Sequence, residues 1–330
     1  MPSIVCADGD DEYLRILTPE IERAMTLHGV SVTWHNGAPT SEEDWLERTA
    51  GAEGLLLLWD IPDNVLRTHP TLRAISWVGT GVGTFVNVPL ATERGIAVCN
   101  TPGYGDNAVG EHALGLMLAL ARNTVALDGA LRSGRWPRDE VRGFELGGKT
   151  VGIVGLGGIG TRVARLCAAL DMRVLAWTAH PTPERLQTAH AVYAELPELF
   201  AQADIVSLHL AHTPETTGIV SAELLARMRK HAILVNTARA ELVDPAALVD
   251  MLRSGRIAGA ALDVFDHEPL EPHDPLLQLP NVVLTPHVGF RTPEATRRTI
   301  TTALDNLLGF FAGSPRHVVN PEVLRWSSDR

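Results

Sequence analysis

Val151-Gly152-Ile153-Val154 runs directly into Gly155-Leu156-Gly157-Gly158-Ile159-Gly160. Ile159, Val163, Leu166 and Leu170 then recur at the spacing of one helix face, and MRVLAW forms a second apolar run. Strand, tight turn, helix, strand is a βαβ unit, and each glycine has a physical reason. Gly155 permits the sharp turn, Gly157 lets backbone approach a pyrophosphate, and Gly160 allows helix and strand to pack closely. The helix start at Gly158 and Ile159 adds free N–H groups and partial positive charge. A bare GxGxxG is a weak signal. Framed by strand, helix and second strand, it predicts a dinucleotide site inside a parallel sheet covered on both faces.

The rest of the chain fits that frame. SIVCADG, VSVTWH, GLLLLW and LRAISWVG look like buried strands, separated by segments such as DEYLRILTPEIERAMTLHG with helical spacing. The alternation pauses near Thr101-Pro102-Gly103, and a helix too apolar to lie free on a surface is expected from about Asp106 to Arg122. A second series follows with TVGIVG, MRVLAW, ADIVSLHL, AILVNTA, AGAALDV and NVVLTPH, then a last helix over about 293–311. At 330 residues, two separate cores can form. The expected fold class is α/β, with two doubly wound parallel-sheet domains.

Composition narrows the partners. No run reaches the about eighteen apolar residues of a membrane span, HALGLMLALA being the nearest. MPSIVCADGDDEY lacks the pattern of a signal peptide. Cys6, Cys99 and Cys167 are far apart, which suits a reducing cytoplasm and argues against structural zinc or disulfides. A net charge of −11 would repel nucleic acid and acidic membranes. His267, Glu271, His273 and Asp274 crowd one loop but lack a standard metal-ligand spacing, so no metal is expected. The expectation is a cytoplasmic protein acting on small molecules.

The second strand of the βαβ unit ends at Thr178, where an acidic residue would hold the ribose 2′-hydroxyl and repel a 2′-phosphate. Thr178 does neither strongly, and Thr178 and His180 could donate to a phosphate; Arg185 is the nearest arginine that follows. The strand tip leaves NAD and NADP both open.

Three later strand ends carry polar residues that a buried strand would avoid. They are Asn236-Thr237-Ala238-Arg239, Asp263-Val264-Phe265-Asp266-His267-Glu268-Pro269 and Thr285-Pro286-His287-Val288-Gly289. In an open parallel sheet, the carboxyl ends of the strands face the ligand crevice. Their chemistry suits a 2-hydroxy acid. Arg239 can grip a carboxylate bidentately and polarise the adjoining carbonyl. His287 can take or return the hydroxyl proton, and Glu268 beside it would orient the ring and favour its charged form. The His209–His212 pair ends another strand that nears the cofactor, and His112 reads as a packed or hydrogen-bonded histidine.

On these motifs, the sequence resembles the D-isomer-specific 2-hydroxyacid dehydrogenases, particularly those of glyoxylate/hydroxypyruvate reductase type, across nearly its whole length. The resemblance implies that Arg239, Glu268 and His287 are catalytic. It implies that Asp263 bonds the nicotinamide carboxamide, and that Thr101, Val109, His209, Thr213, Thr237, Ala238 and Gly289 line an NAD or NADP cofactor. Gly81, Val82 and Gly83 would meet the substrate carboxylate with backbone N–H groups, beside Arg239 and His287. A flavodoxin-like, discontinuous substrate domain (1–100 and 290–330) would accompany a Rossmann NAD(P)-binding domain (101–289). A homodimer built through about 106–134 is also implied.

The chain departs from the family pattern at Ala240, where glycine usually follows the arginine, and at Ala211, which replaces a proline. Thr84 and Asn87 stand where the substrate loop usually carries aspartates. Within the broader family, formate dehydrogenases pair the histidine with glutamine, so Glu268 points away from them. The expected activity is hydride transfer between NAD(P)H and a small 2-oxo or D-2-hydroxy acid, with glyoxylate and hydroxypyruvate first in line. The alternative from another class is a non-catalytic, cofactor-sensing interaction protein of the same fold.

Overall fold

Apolar runs become strands because β-branched and leucine side chains fill both faces of a sheet that has no wet side. The computed structural model of the chain describes residues 2–326. They divide into two units: one holds the chain up to Tyr104 and from Thr292 onward, the other Gly105–Arg291.

The first unit contains β1 (Ser3–Gly9), β2 (Ser31–Asn36), β3 (Gly54–Leu57), β4 (Ala74–Trp77) and β5 (Ala97–Cys99), in the order β2-β1-β3-β4-β5. Every pairing is parallel, and the order is the flavodoxin-like one. Successive side chains serve opposite faces. Leu55, Leu57 and Ile75 pack with Val65, Leu66 and Leu90 on one side. Ile4, Leu56 and Ala74 pack on the other with Leu17 and with Ile300, Leu304 and Leu307 of the Pro293–Phe311 helix. That helix is fixed further by Asn306, whose Nδ2 donates to Ser76 Oγ at 3.1 Å.

The second unit contains β6 (Thr150–Val154), β7 (Arg173–Trp177), β8 (Val192–Tyr193), β9 (Ile205–Leu208), β10 (Ile233–Asn236), β11 (Gly259–Leu262) and β12 (Val282–Leu284). Their order is β12-β11-β10-β9-β6-β7-β8, again parallel throughout. The winding reverses between β6 and β9, which opens a crevice at the strand ends. The Asp106–Ala121 helix is buried along Ala113, Met117 and Ala121 against Val151, Ile153, Ile233 and Val235. Among the described residues, no single helix is long and apolar enough to cross a membrane. The doubly wound pair expected from the sequence forms. β5 and β8, of three and two residues, were not among the strands read from the sequence.

Candidate active site

The turn after β6 is built from glycines that packing leaves no room to replace. Gly155 has φ 103°, and a Cβ there would lie 2.7 Å from the His209 carbonyl oxygen. A Cβ on Gly160 would press into the Gly155 carbonyl oxygen, and one on Gly158 into the Asp106 carboxylate. Gly157 differs: nothing lies within 4 Å of its missing Cβ. It caps the twelve-residue Gly158–Ala169 helix, whose first N–H groups lack intrahelical partners. Open space over a bare peptide and a helix start fits a bound pyrophosphate, with Ile159 in the first turn.

Among the described residues, two buried polar atoms stand unpartnered at neighbouring strand ends. His209, after β9, bonds Ser207 Oγ through Nε2 at 2.9 Å, while its Nδ1 has no partner. Burial pushes its pKa down to about 3, so the ring is neutral at physiological pH. Thr237 Oγ1, after β10, is buried and likewise unpartnered. Orphaned groups of this kind await a ligand or water. At the tip of β7, Thr178 is buried and His180 exposed. Thr213 is held in a local turn, its N–H donating to Thr216 Oγ1 at 2.8 Å.

β11 lies between β10 and β12, so the three polar strand ends are neighbours. At a strand spacing near 4.8 Å, they fall within roughly 10 Å of one another. Asn236 shapes the first: its Oδ1 accepts the Ala238 N–H at 3.0 Å and its Nδ2 donates to the Arg239 carbonyl at 2.9 Å. The half-buried Arg239 side chain donates from Nη1 to the Ala238 carbonyl at 2.6 Å. At the other two ends, His287 Nδ1 lies 2.8 Å from Glu268 Oε2. Glu268 is itself fixed, because Oε1 accepts the Phe265 N–H at 3.0 Å. A carboxylate can only accept, so Nδ1 carries the hydrogen and Nε2 is left for another partner.

His287 sits at φ 52°, which a residue with a Cβ adopts only when its surroundings hold it there. The holder is Asp263. Its Oδ1 accepts the Thr285 hydroxyl at 2.6 Å and the Val288 N–H at 3.0 Å, and its Oδ2 accepts the Gly289 N–H at 2.9 Å. His112, from the Asp106–Ala121 helix, reaches Thr285 Oγ1 at 3.0 Å and Asp263 Oδ1 at 3.4 Å. Burial alone would raise the Asp263 pKa, but the bonds from His112, Thr285, Val288 and Gly289 outweigh it and hold the carboxyl below its ordinary value. A Cβ on Gly289 would meet Asp263 Oδ2 at 2.9 Å. Asp263 therefore acts here as a clamp on the histidine turn, a contact that the carboxamide role implied by resemblance did not include. Reading the sequence also missed His112 and Asn236 as parts of the site. Their partners are tens of residues away or in the backbone, and only the polar character inside apolar runs hints at them.

The first unit ends its strands in another manner. After β4, Trp77 stacks on Phe85 with ring centroids 4.4 Å apart, and the intervening loop holds the short Val82–Thr84 turn of 3-10 helix. Gly81 and Gly83 are exposed and Val82 is buried. Asn87 caps the Val88–Glu93 helix by accepting the Leu90 N–H at 3.1 Å, a task open to Asn and Asp alike. Thr101 also lies in this unit, its hydroxyl 2.7 Å from that of Thr299. Val109 lies in the other, buried in the Asp106–Ala121 helix. The buried Asp8 carboxylate, at the end of β1, accepts the Leu58 and Trp59 N–H groups at 3.0 and 2.7 Å.

The profile described as D-isomer specific 2-hydroxyacid dehydrogenase, NAD binding domain, matches residues 114–289. A glyoxylate reductase of Thermofilum pendens is 38% identical over 327 residues, covering 95% of each chain. The D-3-phosphoglycerate dehydrogenase of Archaeoglobus fulgidus is 38% identical over 257 residues, 78% of this chain and 49% of that one. Among solved structures, an NADPH-dependent glyoxylate/hydroxypyruvate reductase from Sinorhizobium meliloti, in complex with citrate, superposes with a TM-score of 0.83 at 29% identity. That match covers 97% of this chain and 99% of the other. Glycine turn, ordered strand ends and near full-length likeness agree, and the chain belongs to the D-isomer specific 2-hydroxyacid dehydrogenase family.

Proposed function

We propose that this chain reduces small 2-oxo acids to D-2-hydroxy acids, and runs the reverse oxidation, with Arg239, Glu268 and His287 as its catalytic residues. The observation that carries the reading is the 2.8 Å bond between His287 Nδ1 and Glu268 Oε2 beside the strand end bearing Arg239. A bound NAD(P)H supplies the hydride. Arg239 grips the substrate carboxylate with its planar fork and draws density from the neighbouring carbonyl. His287 delivers a proton from Nε2 to the carbonyl oxygen as that carbon gains the hydride, and takes it back in the oxidation direction. Glu268 keeps the proton on Nδ1 and aims the ring.

On this reading Gly105–Arg291 is the cofactor domain, and the remainder of the chain is the substrate domain. Glyoxylate and hydroxypyruvate are the substrates to try first. The assembly proposed is a homodimer through the region that follows the buried helix. Val125, Leu131 and Trp136 are exposed there, Trp136 by 78%, and a second copy would cover them. The buried, unpaired Cys6, Cys99 and Cys167 support action in the cytoplasm.

The test is decay of the reduced nicotinamide absorbance with each oxo acid, beside aldehydes of the same size that lack a carboxylate. Turnover confined to the oxo acids is expected. Failure with every small oxo acid, or equal turnover of the aldehydes, would sink the assignment.

A further inference from the structure

We propose that His112 is a positioning residue for the proton transfer, fixing through Thr285 and Asp263 the turn that carries His287; the inference rests on the dehydrogenase reading of the same site. The ionised Asp263 carboxylate has no hydrogen to give, so the Thr285 hydroxyl donates its single one to Oδ1 at 2.6 Å. With that hydrogen committed, Thr285 Oγ1 can only accept from His112 Nε2, 3.0 Å away. His112 Nε2 therefore carries a hydrogen, and its longer approach to Asp263 Oδ1, at 3.4 Å, has the same sense. Neutral or charged, the ring donates in one direction: His112 to Thr285, and Thr285 to Asp263.

The ring also touches the other end of the same turn. A Cβ on Gly289 would stand 3.1 Å from His112 Cδ2. The imidazole thus bonds the first residue of the 285–289 turn and lies against the last. Between them, the His287 N–H donates back to the Thr285 carbonyl at 3.0 Å, and the Val288 and Gly289 N–H groups donate to Asp263. The positive φ of His287 persists because these contacts over-determine it. Asp263 supplies the charge, and His112 supplies a firm wall, since the Asp106–Ala121 helix is itself buried through Ala113, Leu116 and Met117. Without the imidazole, Thr285 keeps its bond to Asp263 but loses the donor that aims it, and space opens beside Gly289. The turn gains freedom, and His287 Nε2 gains it too. A shift of about 1 Å at a reacting group costs about a hundredfold in rate. Arg239 stands on a different strand end, where Asn236 holds its backbone, so the grip on the substrate carboxylate is untouched. The loss therefore falls on kcat rather than on KM.

The experiment is steady-state kinetics with glyoxylate and hydroxypyruvate at saturating reduced cofactor, in light and heavy water, on the wild type and on His112→Ala, His112→Gln, His112→Phe and Thr285→Val. Glutamine places an amide donor as many bonds from Cα as histidine Nε2, without the ring; phenylalanine keeps a ring and loses the donor. His112→Ala and His112→Phe should lower kcat about ten- to hundredfold with KM nearly unchanged. Their solvent isotope effect on kcat should rise as proton delivery becomes limiting, which a mere loss of folded enzyme would not cause. His112→Gln should recover most of kcat. Thr285→Val should match the loss, and adding His112→Ala to it should change little, because members of one chain of bonds do not act independently. Unchanged kcat in His112→Ala, a His112→Gln variant no better than His112→Phe, or losses that multiply in the double variant would each overturn the inference. If His112→Ala does not fold, the contrast between His112→Gln and His112→Phe decides it. A wild type that turns over no small oxo acid with NADH or NADPH overturns the dehydrogenase reading itself, and this inference with it.

Discussion

Both units end parallel strands in loops, and they spend those loops differently. In the second, the loops after β10, β11 and β12 carry Arg239, Glu268 and His287, polar groups whose backbone or side chains are fixed by hydrogen bonds from Asn236, Phe265 and one another. In the first, polar side chains grip backbone: the buried Asp8 takes the Leu58 and Trp59 N–H groups, and the part-buried Asn87 takes that of Leu90. One sheet presents side chains, and the other presents shaped backbone. Chemistry placed on one scaffold and contour on the other can be altered separately.

The sharpest way to break that contrast is at His287. His287→Ala should lower turnover by about 10²–10⁴-fold, the usual worth of a general acid–base, with cofactor binding and thermal midpoint retained. Steady-state kinetics beside calorimetry would reveal it, and an unchanged kcat would end the comparison. Next comes Arg239→Lys, for which kcat/KM on an oxo acid should fall about ten- to hundredfold, because a point charge cannot replace a planar fork.

Glycines give a third, smaller test. Gly160→Ala would force a methyl into the Gly155 carbonyl, whereas Gly83→Ala meets nothing within 4 Å and has no positive φ. The first should destabilise the second unit by about 1–3 kcal/mol and weaken nucleotide binding; the second should leave the denaturation midpoint where it was.

The smallest effect is on pH dependence, and here the two units should move in opposite directions. The His209 pKa in the folded chain is depressed to about 3 from 6.5 by burial. Its contribution to stability is therefore full above about 6.5 and is lost as pH falls toward 3. Burial raises Asp8 from 3.8 to about 6, against the pull of the Trp59 and Leu58 N–H groups. Its contribution is full below about 3.8 and is lost as pH rises through 6. Amide exchange at pH 5 and pH 7, corrected for intrinsic rates, should show protection shifting toward the first unit on acidification. Asp8→Asn should remove that unit's share of the shift.

Much of this was legible from residues alone, for reasons that can be named. The turn at Gly155–Gly160 advertised itself because a strand and a helix flanked it. Arg239, Glu268 and His287 stood out as polar residues where a buried strand should end. The Asp263 clamp was hidden because its partners are backbone N–H groups of Val288 and Gly289, and every residue carries one. His112 was hidden for a different reason: it meets Thr285 across 173 positions, and nothing in its own helix marks the face that turns toward that strand end. Asp8 was swallowed by the apolar run SIVCADG, and nothing local marks it as an anchor for the backbone after β3. Local pattern reveals elements; which distant backbone a polar side chain will hold is decided by topology.

The Asn306–Ser76 bond joins positions 230 residues apart, within one sheet-and-helix unit. During synthesis, β3 and β4 leave the ribosome long before the helix that covers them, and the whole second unit is made in between. At common elongation rates that interval lasts about 10–40 s. For that time Ile4, Leu56 and Ala74 lack the cover of the Pro293–Phe311 helix and have only Leu17 of the early Asp11–His28 helix, while the intervening unit already holds every residue it needs to fold. Chaperone demand should therefore fall on the nascent N-terminal sheet rather than on the part that carries the chemistry.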